Sequence, residues 1–324
     1  MLIITLGEPL SVTVECLLRE RELWAHEGGQ TVIMVGAKQQ WQYQSQEWKA
    51  GDLKFRDIKN FSDINRPGLY FLDSSPACPR MDPRKLDSKL RGEVAFAALQ
   101  TLRSLPKLAE PLAVMTSPID KHGCAKAGFP FPGQTEFFED LWSTQGIMIL
   151  AGPKLRVALA TNHLALRDVP PAIQPSLILK KSQLLQSSLQ RIFGIAEPRL
   201  AVAGLNPHCG DGGLFGDEDR LCIEPAVRAA QAAGINIVGP LPADTIFFRA
   251  HSGAFDGVLA MYHDQGLGPL KSLHFYDAIN VTGGLPHLRL SPDHGPAAEL
   301  YGLGEAKSDS FRLALQQARQ YLGW

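Results

Sequence analysis

The chain has 324 residues, is 45% hydrophobic and 20% charged, and carries a formal net charge of -1. That length suits about two domains with sizeable cores. The near-neutral balance, with no dense basic cluster, argues against nucleic acid and anionic membranes as partners.

The first residues, Leu2-Ile3-Ile4-Thr5, follow Met1 with no basic segment and no cleavage pattern. They predict a strand rather than a signal peptide, and with it a cytoplasmic location. Strands are then predicted at residues 2–6, 31–35, 68–72, 112–116, 147–151, 156–160, 200–204, 236–238, 257–261, 277–282 and 288–290. Helices are predicted at 88–103, 175–193, 225–233 and 307–321. Continuous apolar strands between amphipathic helices imply an α/β fold with a mainly parallel sheet. The apolar runs fall short of the roughly 20 residues a bilayer span requires. Residues 39–63 are polar and weakly periodic, and read as a peripheral excursion. No Pro/Gly-rich linker separates two halves, so two lobes would share the chain discontinuously: residues 1–130 with 280–324, and residues 131–279.

Three histidines stand out. His163, His208 and His263 each follow an apolar run, and each has an aspartate within five positions: Asp168, Asp211 and Asp264. Strand ends can converge, and three imidazoles with an open position make a catalytic metal site. The competing reading is three structural histidines at strand ends. The five cysteines, Cys16, Cys78, Cys124, Cys209 and Cys222, form no C-x-x-C pair, which argues against a disulfide framework and a cysteine-rich zinc site. Cys209, beside His208, reads as a small residue in a tight loop.

Lys271, Asn280 and Arg289 follow, nine residues apart each time. A lysine, an arginine and an amide suit a phosphate monoester; solvated surface charge is the alternative. The glycines of 204–219 precede no Gly-Lys-Ser/Thr, and no strand leads into G-x-G-x-x-G, so neither a Walker loop nor a Rossmann site is expected. The segment Asp293-His294-Gly295-Pro296-Ala297-Ala298 reads as a loop entering a short helix, where backbone donors can meet an anion or a ribose. The loop after the strand at 112–116 carries Gln134 and Thr135, with Thr135 read as a helix cap.

At this point the residues resemble a known family. Gly204-Leu205-Asn206-Pro207-His208, Met261-Tyr262-His263-Asp264-Gln265-Gly266, His163-Leu164-Ala165-Leu166-Arg167-Asp168-Val169-Pro170, Gly239-Pro240-Leu241-Pro242-Ala243-Asp244-Thr245 and Asp293-His294-Gly295 are similar to segments of the 4-hydroxythreonine-4-phosphate dehydrogenases of vitamin B6 biosynthesis. The resemblance runs from about residue 112 to about 306, with a weaker trace at Thr5-Leu6-Gly7-Glu8-Pro9. It implies a two-lobed α/β fold of the isocitrate/isopropylmalate dehydrogenase type, three-layer α/β/α, with the active site in a cleft between lobes. It implies NAD-dependent oxidation of 4-phosphohydroxy-L-threonine at its 3-hydroxyl, then decarboxylation to 3-amino-2-oxopropyl phosphate. It implies a homodimer with one divalent metal per site at the interface, held by His163, His208 and His263. Gln134, Thr135, Lys271, Asn280 and Arg289 fall on substrate contacts, and Asp293, His294, Gly295 and Ala298 on the cofactor loop. Asp264 and Asp244 are both candidates for the base or for orienting a ligand.

The sequence departs from that family in places. Gln134 stands where the family usually has His, and an amide does not titrate. Leu10-Ser11-Val12-Thr13-Val14-Glu15 replaces a glycine-rich turn, so side chains occupy positions where backbone could approach a ligand closely. Asp120 and Asp211 are milder changes. A paralogue acting on 4-phosphothreonate or 4-phosphoerythronate is therefore the second reading, and an inactive binding protein of the same fold a remote third. Phosphate acyltransferases share the broad fold but lack the metal histidines.

Overall fold

The structure is a computed structural model that describes residues 1–25, 29–48, 53–106 and 111–324. All eleven predicted strands form, and a twelfth joins them. In chain order they are β1 (Leu2–Thr5), β2 (Thr31–Gly36), β3 (Arg56–Ile58), β4 (Gly68–Asp73), β5 (Ala113–Thr116), β6 (Ile147–Ala151), β7 (Arg156–Leu159), β8 (Leu200–Ala203), β9 (Ile237–Leu241), β10 (Gly257–Ala260), β11 (Ile279–Gly283) and β12 (Leu288–Pro292). The four predicted helices appear as Ser88–Thr101, Pro175–Arg191, Glu224–Ala232 and Asp309–Leu322.

The chain divides into two compact units, Met1–Ser143 with His287–Trp324, and Thr144–Pro286. In the first, the strand order is β3-β4-β2-β1-β5-β12, and every pairing within it is parallel. Leu2, Ile3, Ile4, Val32 to Val35, Val114 and Met115 are fully or almost fully buried, as expected of strands covered on both faces. In the second unit the order is β11-β6-β7-β10-β8-β9. β7, β10, β8 and β9 run parallel, and β6 pairs antiparallel with both β7 and β11.

Alternation along β10 shows how helices cover both faces of this sheet. A Cβ on Gly257 would meet Leu189 and Leu185 of the helix Pro175–Arg191. Val258 and Ala260, next in line, pack instead with Ile246, Phe247 and Leu270 of the helices Ala243–His251 and His263–Leu273. Ile178, Leu185 and Leu189 are fully buried, each contributing about 1.5–3 kcal/mol of apolar burial.

The polar stretch at 39–63 is not a mere excursion. Its described part includes a helix, Lys38–Glu47, and the edge strand β3, while residues 49–52 lie outside the described residues. The helix was illegible because its buried positions are Gln40, Trp41 and Gln44. Gln40 donates to Pro79 O and Met81 O, and Gln44 to Pro9 O, so buried amides replace the apolar stripe.

All five cysteines are free. Among the described residues no helix is long and apolar enough to cross a membrane.

Candidate active site

β7, β10 and β8 are neighbours and parallel, so the loops bearing His163, His263 and His208 leave adjacent carboxyl ends. That is the edge where parallel sheets place ligands. Cross-links between the strand ends fix the loops. Thr161 donates to Met261 O through both its amide (3.2 Å) and its hydroxyl (2.7 Å), and each of these residues stands two positions before a histidine. The rings of His163 and His263 lie 5.9 Å apart between centroids. Gln265 accepts from Met261 N and donates to Gly204 O, both at 2.7 Å, tying β10 to the end of β8. Neither Thr161 nor Gln265 was singled out from sequence as an organiser of the site.

The His208 loop is conformationally costly. His208, Cys209, Gly210, Asp211 and Gly212 all have positive φ, between 42° and 82°. Left-handed backbone costs a non-glycine residue roughly 1–2 kcal/mol and persists only where its surroundings over-determine it. Asp219, fully buried, supplies that determination. Its carboxylate accepts from Leu205 N (2.8 Å), Asn206 N (3.0 Å) and Asn206 Nδ2 (3.0 Å). Gly210 must be glycine, because a Cβ there would lie 2.5 Å from Gly216 O. Burial pushes the Cys209 thiol up to about 11, which keeps it protonated and a poor metal ligand near neutrality.

His263 Nδ1 lies 2.7 Å from Asp264 Oδ1, a carboxylate–imidazole couple of the kind that orients metal-bound histidine. The Asp264 side chain is otherwise exposed, and Asp244 is exposed in the first turn of the helix Ala243–His251. The donor chemistry suits a divalent ion, and two imidazoles at this spacing can share one with N–metal bonds of about 2 Å. Among the described residues, no three His, Cys, Asp or Glu side chains come together in the way an ion requires. The structure brings the His163 and His263 rings together.

Lys271 lies on the helix His263–Leu273, half-buried, with its ammonium 5.9 Å from the Phe275 ring centroid. Asn280 sits in β11 opposite Leu150. Its Oδ1 is buried with no hydrogen-bond partner among the described residues.

The remaining predicted residues belong to the first unit. Arg289, in β12 opposite Val114, is 2% exposed. Its Nη2 donates to Thr116 Oγ1 (2.8 Å) and Gln134 Oε1 (3.3 Å), and its guanidinium lies over the Phe138 ring. Burial pulls its pKa down to about 10, opposed by the charge of Glu136; it remains a cation at neutral pH. Gln134 and Thr135 open the helix Gln134–Leu141, whose cap is Gly133, not Thr135. Glycine can adopt the extended cap, and Thr135 goes inward, 5% exposed.

On the loop predicted to bind cofactor, Asp293 N donates to Ser310 Oγ (3.0 Å), and His294 packs on Phe311 with its Nδ1 2.8 Å from Gly295 O. Ala297 is left-handed, capping a short turn at Ala298–Leu300. The space around Gly295 Cα is open, and Ala298 is exposed, so backbone is accessible to a nucleotide. The departed N-terminal turn packs against this loop: Val12 N donates to Pro296 O (3.0 Å). Ser11 Oγ donates to Glu8 O (2.6 Å) and lies 2.9 Å from Thr13 Oγ1, from which it can accept, so these hydroxyls are satisfied within the turn. Glu8 is buried 2.7 Å from Arg91 Nε. Burial nonetheless raises its carboxyl to about 7, against the lowering effects of the Leu10 amide and Arg91.

Two α/β units, with the candidate residues of the second at the carboxyl ends of parallel strands, define an α/β fold of the isocitrate dehydrogenase type. The fold likeness extends to isocitrate dehydrogenase from Methylococcus capsulatus, at TM-score 0.50 and 8% identity over 99% of this chain and 85% of that one. The particular family follows from closer matches. Residues 29–318 match the family described as Pyridoxal phosphate biosynthetic protein PdxA, and the chain belongs to that family, as a dehydrogenase. It is 41% identical over 327 residues to the 4-hydroxythreonine-4-phosphate dehydrogenase of Pseudomonas aeruginosa, covering 98% of this chain and 96% of that one. It is 33% identical over 326 residues to the D-threonate 4-phosphate dehydrogenase of Pectobacterium atrosepticum, covering 98% of each. The crystal structure of the Klebsiella pneumoniae 4-hydroxythreonine-4-phosphate dehydrogenase superposes with TM-score 0.79 at 32% identity, over 99% of this chain and 98% of that one.

Proposed function

We propose that this enzyme oxidises the 3-hydroxyl of 4-phosphohydroxy-L-threonine and that the resulting β-keto acid loses carbon dioxide to give 3-amino-2-oxopropyl phosphate, in the cytoplasmic synthesis of pyridoxal phosphate. NAD and a divalent metal are the groups this reading requires. The observation that carries it is the His163–His263 pair, with its Asp264 partner, at the end of β10. His163 and His263 are proposed as two donors, and His208 as the third, brought into the set by a homodimer. Exposed Leu164, Leu166, Leu214 and Phe215 on the two loops concerned favour such a partner surface.

When bound, the metal supplies Lewis acidity that makes the substrate hydroxyl more acidic, and NAD accepts the hydride. The protein's own groups do the rest. Arg289, a buried cation with further N–H groups, grips an anionic group of the substrate. Lys271, the Asn280 amide and the Thr135 hydroxyl are proposed as further substrate contacts. Asp264 is committed to orienting His263, which leaves Asp244 to take the hydroxyl proton. Asp293, His294, Gly295 and Ala298 form the nucleotide-binding loop.

The second reading, a 4-phospho-D-threonate dehydrogenase, is supported by the 33% identity to the Pectobacterium atrosepticum D-threonate 4-phosphate dehydrogenase over 98% of each chain. The experiment is NADH formation with each acid, with and without added divalent metal. Metal-dependent turnover of the amino acid substrate alone supports the first reading. Preference for the threonate supports the second, and silence with both defeats the two together.

A further inference from the structure

Gln134 opens the helix Gln134–Leu141, and the structure gives its side chain two engagements. Its Nε2 donates to Ser117 O at 3.0 Å. Its Oε1 accepts from Arg289 Nη2 at 3.3 Å. The first bond fixes which way the amide faces, because only the NH2 end can meet a carbonyl. The oxygen is thereby turned toward the guanidinium. The same Nη2 is held from the other side by Thr116 Oγ1 at 2.8 Å, and Phe138 floors the guanidinium at 5.6 Å. All of these residues lie on β5, the segment just after it, β12 and the helix Gln134–Leu141, so the frame is built from rigid elements.

We propose that Gln134 is a positioning residue: it aims the Arg289 guanidinium at the substrate's anionic group and makes no discriminating contact with the carbon that bears the amino or hydroxyl group. The proposal rests on the reading that Arg289 binds the substrate's anion. A guanidinium is a rigid fork, so its bidentate grip depends on being held in one plane. An amide suits that task at any pH. An imidazole at the same place could accept from Arg289 only while neutral. The exchange of His for Gln then alters how the anion grip is held, not which four-carbon acid is chosen. Substrate choice must lie elsewhere in the site.

The test is calorimetric binding of 4-phosphohydroxy-L-threonine and of 4-phospho-D-threonate to the metal-loaded enzyme, with kcat for whichever acid turns over. Gln134→Met keeps the shape and removes both hydrogen bonds. The expected result is a rise in Kd of about tenfold, the same for both acids, from the loss of a hydrogen bond to a charged group. kcat should change by less than about threefold, because the grip is made before and during the reaction alike. Thr116→Val, which removes an acceptor of the same Arg289 Nη2, should give the same pattern. Combining Gln134→Met with Arg289→Ala should add nothing to Arg289→Ala alone, since a residue acting through another has no effect once that other is gone.

A Kd that rises for the amino acid substrate only would make Gln134 a direct specificity contact and overturn the proposal. So would additive effects in the double variant. If Arg289→Ala leaves both dissociation constants unchanged, the anion-grip reading itself fails, whatever Gln134 does. Thermal melting of each variant within a few degrees of the parent separates these outcomes from simple misfolding.

Discussion

The two units treat their functional side chains differently. In the first, Arg289 and Thr135 are buried, and Arg289 is already held by Thr116, Gln134 and Phe138. In the second, His163, His208, Asp244 and Asp264 are largely open to solvent, amid exposed leucines and phenylalanines. The first is a frame finished within one chain. The second invests in the loops: Asp219, Gln265 and Thr161 fix the backbone around the histidines. Pre-organised anion grips gain from burial, where charge-assisted hydrogen bonds are strong. Imidazoles that await an ion must remain accessible and neutral.

The largest effect that could break this contrast is His208→Ala. Turnover should fall below detection and metal binding should weaken, while the melting temperature moves by no more than about 2 °C, since exposed side chains contribute little to stability. Full activity in metal-free buffer would remove the histidines from the chemistry. Asp264→Asn comes next. It removes the carboxylate that orients His263 and should cost about 10- to 100-fold in metal affinity, measured by competition with a chelator. An unchanged affinity would reduce the His263–Asp264 couple to a surface contact.

The smallest effect concerns stability in the first unit. The Glu8 carboxyl is raised from 4.5 to about 7 by burial, so the folded protein holds a proton that the unfolded chain has already lost. Its stabilising contribution is complete below about pH 4.5 and is lost as pH rises through about 7. The loss amounts to at most about 3 kcal/mol. Melting temperature followed from pH 5 to 8 should therefore fall more steeply in the parent than in Glu8→Gln, which stays uncharged throughout. Parallel curves would show that Arg91 fully compensates the buried charge.

Particular elements show what was legible in the sequence. β1, β2, β8 and β10 were readable because strands buried on both faces must be continuously apolar. β3 was not, since Arg56 and Asp57 are exposed on an edge strand and only Ile58 is buried. The helix His263–Leu273 was hidden by Gly266, Gly268 and Pro269, residues that signal a break. Gly266 is there because a Cβ would lie within 3 Å of Val157 and Leu159. The candidate site residues were named from motifs, but their partners were not: Asp219 stands in an acidic run, Asp217-Glu218-Asp219, that reads as solvated surface.

The sequence by itself determined the α/β class and the family, because apolar periodicity and ordered motifs are local properties. Only the tertiary structure decided that Gln134 faces Arg289, that buried Asp219 holds the start of the His208 loop, and that the His163 and His263 rings pair. Those are contacts between residues 13 to 155 positions apart, and their geometry is set by strand pairing and burial, which no local pattern encodes.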